Sequence, residues 1–266
     1  MTWGVEIAEA EVGWGDTFRL TADDIHIEAE TISRRLPVLG RSGSGKSTLL
    51  YLLTFLKRPR RGTVRWVFPN GAQAQWGSRG LERRQSDVDL TELRRRYFGF
   101  AYQRSTLTPY LSVGENLRYP LQLHGGLTKT EIEEQVQMAV EQVLLCGQGE
   151  DMHHSDSQDV VGAFLRRYPN QLSGGQLQRV ALAQAMIHNP IVLFADEPTG
   201  NLDAATRKEV MAVVERWLDQ GDRLLIWVTH HVSDAVDPRV THRILVSHGY
   251  CQLQGRTRPP VVEDAA

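Results

Sequence analysis

The chain has 266 residues, of which 41% are hydrophobic and 23% are charged, and its formal net charge at pH 7 is -2. This length and composition predict a soluble globular protein with a buried core, built as one large domain or as a domain with a subdomain. The nearly balanced charge argues against nucleic acid as a partner, since nucleic-acid binding depends on a basic surface.

The cysteine usage and the apolar runs exclude two further classes of protein. Cys146 and Cys251 lie far apart and match no metal or redox spacing, so we expect a reducing compartment. The acidic amino-terminal stretch is unlike a secretory signal. The longest apolar run, Leu49 to Leu56, falls far short of the roughly 18 residues that cross a bilayer. We therefore expect any membrane connection to be made through a partner.

The first elements along the chain are strands. Short alternating runs at Val5 to Ala8 and Ile25 to Ala29 predict strands packed on one face. Leu36 to Leu39 is apolar and predicts a central strand, although it contains Pro37. Because proline removes a ladder hydrogen bond, we expect this strand to begin late or to lie beside a bulge.

Residues 40–48 read GRSGSGKST, which has the spacing of a phosphate-binding loop between a strand and a helix. Its glycines let the backbone approach a phosphate and point successive N–H groups inward at the helix start. Lys46 is placed to reach the β- and γ-phosphates, and the Ser47 hydroxyl to ligate Mg²⁺. A flexible surface loop is the alternative, which the flanking apolar runs disfavour. The predicted nucleotide-binding residues are Gly40, Arg41, Ser42, Gly43, Ser44, Gly45, Lys46, Ser47 and Thr48.

Two aromatic residues near the amino terminus are candidates for stacking on a nucleotide base. Trp14 and Phe18 each fit either this role or packing within the sheet. We favour Trp14 for the base because it lies in a glycine-flanked turn.

The middle of the chain predicts a hairpin, two polar segments and a helix. Gly62 to Phe68 alternates and is followed by the turn signal Asn70-Gly71. The polar residues 72–90 and 147–160 predict inserted surface loops, and the adjacent histidines of the second are expected to be solvated rather than metal-bound. Residues 128–146 predict a helix with one apolar face, opened by a capping box of Thr128 and Glu131.

The sequence LSGGQ at residues 172–176 opens the next predicted helix. Its glycine pair at a helix start predicts a second anion-binding site, formed by exposed N–H groups. The residues concerned are Ser173, Gly174, Gly175 and Gln176. The two phosphate sites need not serve the same nucleotide within one subunit.

Two continuous apolar runs predict buried parallel strands whose carboxyl ends carry polar residues. The run Ile191 to Ala195 ends in Asp196 and Glu197, which are placed to hold Mg²⁺ and to accept a proton from an attacking water. The run Leu224 to Val228 is followed by Thr229 and His230, and a polar residue there is placed to contact the γ-phosphate or the water.

Asp203 is predicted to cap the helix that follows Asp196 and Glu197 in the chain. The sequence is consistent with a capping role, a functional role or both for this residue.

These motifs together resemble the ATP-binding cassette (ABC) ATPases from about residue 5 to 254. The matching positions are the Walker A motif at 40–47, the Q-loop at Gln103, the signature at 172–176, the Walker B motif at 191–196, the catalytic glutamate Glu197, the D-loop at 201–203 and the switch histidine His230. The resemblance implies catalytic roles for Glu197, His230 and Gln103, magnesium contacts for Ser47, Gln103 and Asp196, and a nucleotide contact for Asp203.

The resemblance also implies a fold. It is an α/β architecture with a mixed sheet, an antiparallel β subdomain near the amino terminus and an inserted helical subdomain at about 107–168, all within one ABC domain of residues 1–266. Two subunits are expected to form a homodimer, so that ATP on Lys46 of one is closed over by Ser173 and Gly175 of the other. The stretches at 107–125 and 196–203 look like the lipoprotein-releasing, macrolide-exporting and cell-division branch.

The expected function is that of an ATPase subunit that uses ATP and Mg²⁺ to drive a separate transmembrane permease at the cytoplasmic face of the membrane. Gln103 and residues 107–111 are the expected coupling region. The alternative is a regulatory module that transmits ATP binding to an extracytoplasmic enzyme without transport. A ribosome- or DNA-directed ATPase is disfavoured by the charge balance, and a non-hydrolysing cassette is disfavoured because every chemical position holds a competent residue. The sequence identifies neither the substrate nor the direction of transport.

Overall fold

The structure is a computed structural model and describes residues 3–15, 18–77, 89–102, 106–145, 157–200, 202–230 and 237–255. The strands are β1 (Gly4–Trp14), β2 (Phe18–Ala22), β3 (Ile25–Glu28), β4 (Arg35–Leu39), β5 (Arg61–Val67), β6 (Gln73–Gly77), β7 (Phe98–Ala101), β8 (Val192–Asp196), β9 (Leu224–Val228), β10 (His242–Ser247) and β11 (Tyr250–Gly255). The helices are α1 (Lys46–Leu53), α2 (Leu90–Tyr97), α3 (Val113–His124), α4 (Lys129–Leu145), α5 (Ser157–Leu165), α6 (Gly174–Met186) and α7 (Ala204–Leu218), with a 3-10 turn at Pro169–Gln171.

The chain divides into two compact units. Unit 1 consists of Met1–Val88 and Leu224–Ala266, and unit 2 of Asp89–Arg223. None of the described helices has the length and hydropathy that a membrane crossing requires.

Unit 1 is built on a mixed sheet. Its strands follow the order β6-β5-β1-β2-β11-β10-β4-β9, and β3 pairs with β1. The amino-terminal strands pair antiparallel, whereas β2 with β11, and β4 with both β10 and β9, pair parallel. The parallel part places helix α1 directly after the carboxyl end of β4, as a phosphate-binding loop requires. The predicted α/β class with an antiparallel β part is confirmed.

Pro37 lies inside strand β4, so the expectation of a late start or a bulge was wrong. The carbonyl oxygen of Arg34 accepts a hydrogen bond from Leu225 N of β9 at 3.0 Å, and that of Val38 accepts from Thr229 N, directly after β9, at 3.2 Å. The alternation along the strand therefore turns the Pro37 nitrogen to the other side, toward β10. Strand β10 pairs with β4 only from Val38 onward. The absence of an N–H group at Pro37 therefore costs no hydrogen bond between β4 and β10, because the pairing of these two strands begins only at the next residue.

The predicted hairpin is confirmed, and it corrects the expected loop at 72–90. Strands β5 and β6 pair antiparallel around Asn70 and Gly71, and Gly71 has a φ of 79°. Residues 73–77 are thus a strand, whose Ala74 is fully buried. A helix follows from Leu90, capped by Asp89. Residues 78–88 lie outside the described residues. The polar composition concealed a strand whose glutamines occupy the solvent face.

Unit 2 combines the parallel pair β7 and β8 with a helical core. Helices α3, α4, α5 and α6 share one apolar cluster that contains Leu117, Val136 and Val180, all fully buried. The capping box predicted for α4 is confirmed, since Thr128 and Glu131 exchange hydrogen bonds at 2.7 and 3.3 Å. The apolar cluster of this helical part extends from Leu107 to Ala183.

The second predicted loop, 147–160, also needs correction. Residues 146–156 lie outside the described residues, but helix α5 already begins at Ser157. Val161 and Phe164, one helical turn apart, are 3% and 2% exposed and anchor this helix in the core of unit 2. The polar residues before them masked the start of the helix.

Candidate functional site

The phosphate-binding loop lies between β4 and α1, where the sequence predicted it. Gly45 is the N-cap of α1 and has a φ of 108°. A Cβ at Gly45 would lie 2.6 Å from the ring of Phe18, and one at Gly40 would lie 2.3 Å from the carbonyl oxygen of Val246. Both positions therefore need glycine. The loop therefore has the position, at the start of a helix, where anions are commonly bound by backbone N–H groups.

Lys46 folds back over the loop that precedes it. Its Nζ donates to the carbonyl oxygens of Gly40 and Arg41 at 3.0 and 2.8 Å, and the residue is 5% exposed. The charge is thus held at the mouth of the loop, beside the exposed residues Arg41, Ser42 and Gly43. Binding of a phosphate would exchange these carbonyl contacts for contacts to phosphate oxygens.

The hydroxyl of Ser44 indicates that the loop fits an anionic ligand. Its Oγ is buried and has no hydrogen-bond partner among the described residues. A buried hydroxyl without a partner is costly. A phosphate oxygen in the loop would supply an acceptor, so the residues present fit a bound nucleotide.

Trp14 is anchored to the helix that follows the loop. Its indole Nε1 donates to Thr48 Oγ1 at 3.2 Å, and its ring meets Tyr51 edge-on with centroids 6.2 Å apart. The Lys57 ammonium lies 3.6 Å from the centroid of the Trp14 ring. Half of Trp14 is exposed, whereas Phe18 packs against Gly45. Sequence analysis missed Tyr51 and Lys57, because only the fold brings them to Trp14.

His230 emerges beside the phosphate loop within unit 1. Strands β4 and β9 are parallel neighbours, with Val38 opposite Val228. Gly40 and His230 follow these residues by two positions each, so they leave the same edge of the sheet. His230 is exposed there. The structure thus brings the predicted switch histidine to the edge that carries the loop.

The LSGGQ segment forms the capped start of helix α6 in unit 2. Ser173 Oγ accepts from Gln176 N at 3.2 Å, and Ser173 N donates to Gln176 Oε1 at 3.1 Å. Ser173 and Gly174 are exposed. Gly175 is buried, and a Cβ there would lie 2.4 Å from Thr206 Cγ2. The segment therefore leaves Ser173 and Gly174 facing solvent, while its second glycine packs against the start of α7.

Helix α7 makes two further polar contacts, an N-terminal cap and an ion pair with α6. Asp203 caps the helix by accepting from Ala205 N and Thr206 N, both at 3.0 Å. The Thr206 hydroxyl, which donates to the Asp203 carboxylate at 2.6 Å, is the main reason that the pKa of Asp203 is lowered. Arg179 of α6 binds Glu209 of α7 at 2.5 Å. This ion pair was missed, since its partners are 30 residues apart in the sequence.

Strand β8 ends in Asp196, and Glu197 follows with a φ of 49°. Left-handed backbone at a residue other than glycine costs about 1–3 kcal/mol and clusters at functional sites. Gly200 N donates to the Glu197 carbonyl oxygen at 3.1 Å, which closes a turn. Both carboxylates are partly exposed. Gln103 and Asn201, predicted for the Q-loop and the D-loop, lie outside the described residues.

Comparison with known proteins places these motifs in context. A family model described as ABC transporter matches residues 26–200, about two thirds of the chain. The lipoprotein-releasing system ATP-binding protein LolD of Aquifex aeolicus is 37% identical over 208 residues, which cover 78% of this chain and 79% of the relative. An uncharacterized ABC transporter ATP-binding protein of Thermotoga maritima is 37% identical over 196 residues, or 74% and 71% of the two chains.

The chain is also similar to one part of a longer protein and to a solved structure. The macrolide export ATP-binding/permease protein MacB of Syntrophobacter fumaroxidans is 39% identical over 212 residues, which cover 78% of this chain but 25% of the exporter. Among solved structures, the ATP-binding cassette MJ0796, a dimer in a post-hydrolysis state bound to ADP and Pi, has a TM-score of 0.71 and 25% identity, with 95% and 98% of the two chains covered.

Proposed function

This chain belongs to the ABC transporter family of ATP-binding proteins, and from that premise we propose that it hydrolyses ATP with Mg²⁺ and drives a separate transmembrane permease. The observation that carries the proposal is the phosphate loop before α1, where the Lys46 ammonium lies over the loop and the buried Ser44 hydroxyl has no partner among the described residues. A triphosphate would supply negative charge for the ammonium and an acceptor for the hydroxyl.

Ser47, Asp196 and Gln103 are the residues that would hold Mg²⁺. Hydroxyl, carboxylate and amide oxygens are the donors that this cation prefers. The cation would neutralise the charge that develops on the β- and γ-phosphates. Lys46 would bind the same phosphates from the side of the loop.

Glu197 is the proposed general base, because it stands directly after the strand that ends in Asp196. Its carboxylate is proposed to accept the proton of the attacking water, and its left-handed backbone is of the kind that clusters at functional sites. His230, at the loop edge of unit 1, is proposed to orient the γ-phosphate or that water. Trp14 is proposed to stack on the adenine.

The exposed signature is proposed to bind the nucleotide of a second copy of this chain. Ser173 and Gly174 present an anion site to solvent at the start of α6. The related cassette of known structure is a dimer with ADP and Pi. A homodimer that closes on ATP and opens after hydrolysis would deliver work to the permease.

Affinity purification of a tagged Glu197→Gln protein tests the membrane role. The substitution should trap the ATP-bound dimer on its partner in detergent-solubilised native membranes. Recovery of a multi-span membrane protein, identified by mass spectrometry with ATP but not without it, is the expected result. An extracytoplasmic enzyme bound to that partner would indicate the regulatory alternative. Ribosomal material without a membrane protein would overturn the proposal.

Turnover of the purified protein tests the chemistry. We expect Glu197→Gln to bind ATP normally but to lose roughly 10²- to 10⁴-fold in rate, the contribution typical of a general base. Lys46→Ala is the matched variant, because it should lose ATP binding itself. Normal turnover in Glu197→Gln would show that another residue is the base.

A further inference from the structure

Unit 2 contains a cleft that the ATPase site does not use. Helices α4, α6 and α7 line a cavity of about 490 Å³, within the range of about 300–1,000 Å³ that is typical of small-molecule sites. Helix α4 contributes Gln135, Met138, Ala139 and Gln142, which share one helix face. This face is separate from the buried residues, such as Val136 and Val140, that hold α4 in the core.

Arg223 lines the cleft and carries a charge that no carboxylate of the described residues neutralises. The residue is 8% exposed. Its Nη1 donates to the Trp217 carbonyl oxygen at 2.7 Å and to Gln220 Oε1 at 3.0 Å, and its Nη2 donates to Asn189 Oδ1. These acceptors are neutral and engage three of the five N–H groups that a guanidinium offers. Burial lowers the pKa of Arg223.

Trp217 adds a second unsatisfied donor at the same cleft. It is 4% exposed, and its indole Nε1 has no acceptor among the described residues. The guanidinium carbon of Arg223 lies 5.2 Å from the centroid of the Trp217 ring. A buried donor without an acceptor and a buried charge without a counter-charge are each costly. The cleft therefore lacks an anionic acceptor, while most of its lining is apolar.

We propose that this cleft binds a small amphiphile that carries one carboxylate on an apolar body. The carboxylate would accept from Arg223, as guanidinium groups favour planar carboxylates. The apolar body would lie against Met138, Met186 and Val213. Thioether side chains adapt to irregular apolar ligands.

The surroundings favour a small ligand over a protein partner. Among the large hydrophobic side chains that are exposed in the described residues, Met138 alone borders the cleft. A stable protein interface buries about 800 Å² on each partner, and its centre is apolar. The cleft offers depth and one buried cation rather than such a surface.

Titration of the full chain with decanoate, decanol and decylamine, each below its aggregation range, tests the proposal by calorimetry and tryptophan fluorescence. We expect decanoate to bind and the two other compounds to bind at least tenfold more weakly. Arg223→Met should weaken decanoate binding roughly 10- to 100-fold, the loss expected for a charged hydrogen bond. Arg216→Met, which removes an exposed arginine of α7, should leave it unchanged.

A second variant distinguishes a loss of ligand binding from a loss of folding. Ala139→Leu would reduce the volume of the cleft while keeping Arg223 in the chain, and it should also abolish decanoate binding. Arg223→Met removes a costly buried charge but leaves three neutral acceptors without their donor, so its fold is checked separately. Unchanged ATP turnover in both variants verifies the fold. Equal affinity for decanoate and decanol, or unchanged decanoate binding in Arg223→Met, would overturn the proposal.

Discussion

At the residue scale, Trp14 shows how an exposed aromatic ring is held in one orientation. The bond from its Nε1 to Thr48 ties the ring to the first turn of α1, and Tyr51 supports its edge. The Lys57 ammonium adds a cation–π contact, which is worth about 0.5–1 kcal/mol at exposed sites. A ring fixed in this way loses little entropy when a base stacks on it.

We expect Trp14→Ala to weaken ATP binding roughly 5- to 100-fold, since stacking of a base on an aromatic ring contributes about 1–3 kcal/mol. Trp14→Phe should retain most of the affinity because it keeps an aromatic face. Calorimetric titration with ATP measures both, and Tyr250→Ala, which removes another exposed ring of unit 1, is the control. Unchanged affinity in Trp14→Ala would exclude this residue and direct attention to Phe18.

His188 makes the stability of the protein depend on pH. Its ring is partly buried, which lowers its pKa, and its Nε2 lies 3.0 Å from the Phe98 carbonyl oxygen. The unfolded chain binds a proton near pH 6.5, before the folded chain does. Stability therefore rises with pH across this window and is lost as pH falls below about 6.5, by at most about 1.4 kcal/mol per pH unit.

Urea unfolding between pH 7 and 5 tests this dependence. His188→Gln should flatten the slope between pH 6.5 and the folded-state pKa, because the glutamine does not titrate. A parent slope that persists unchanged in His188→Gln would assign the effect to other groups.

At the element scale, the contact between α6 and α7 depends on Gly175. Any Cβ there would meet Thr206 Cγ2 at 2.4 Å. Gly175→Ala should thus destabilise the protein by about 1–3 kcal/mol through overpacking. Thr206→Ser removes the clashing methyl group but keeps the hydroxyl that binds Asp203. The double variant should recover most of the lost stability in thermal unfolding, whereas equal losses in the single and double variants would contradict the clash.

The sequence predicted those elements whose signals are local. The cap of α4 by Thr128, the cap of α7 by Asp203 and the buried run of β9 were all correct, because each depends on neighbouring residues. Pro37 was misjudged because the side of the strand that lacks a partner is set by β10, some 200 residues later. The role of Gly175 in packing was missed for a similar reason, since Thr206 belongs to another helix.

At the scale of the whole molecule, the signature should act between two copies of the chain. A side chain at Gly174 would meet nothing within 4 Å of its Cβ in the protein itself. Gly174→Glu therefore places a negative charge where the partner's triphosphate is proposed to lie, without disturbing the fold. We expect ATP binding by the monomer to persist, while dimer formation, measured by light scattering in the Glu197→Gln background, is lost. Gly174→Ala should dimerise, and a dimer of Gly174→Glu would refute the shared site.

The strand order of unit 1 has a consequence for synthesis on the ribosome. Both neighbours of strand β4 in the sheet, β9 and β10, are translated after the whole of unit 2. Strand β2 pairs with β1 on one side, but its neighbour on the other side, β11, is also translated after unit 2. Translation proceeds at about 5–20 residues per second. Strands β2 and β4 therefore keep unpaired edges for roughly ten seconds or longer after they are synthesised. Unit 2 is continuous in sequence, so it is free to fold during that delay. A nascent chain arrested before Leu224 should therefore expose the amino-terminal strands to chaperones while its middle is already protease-resistant.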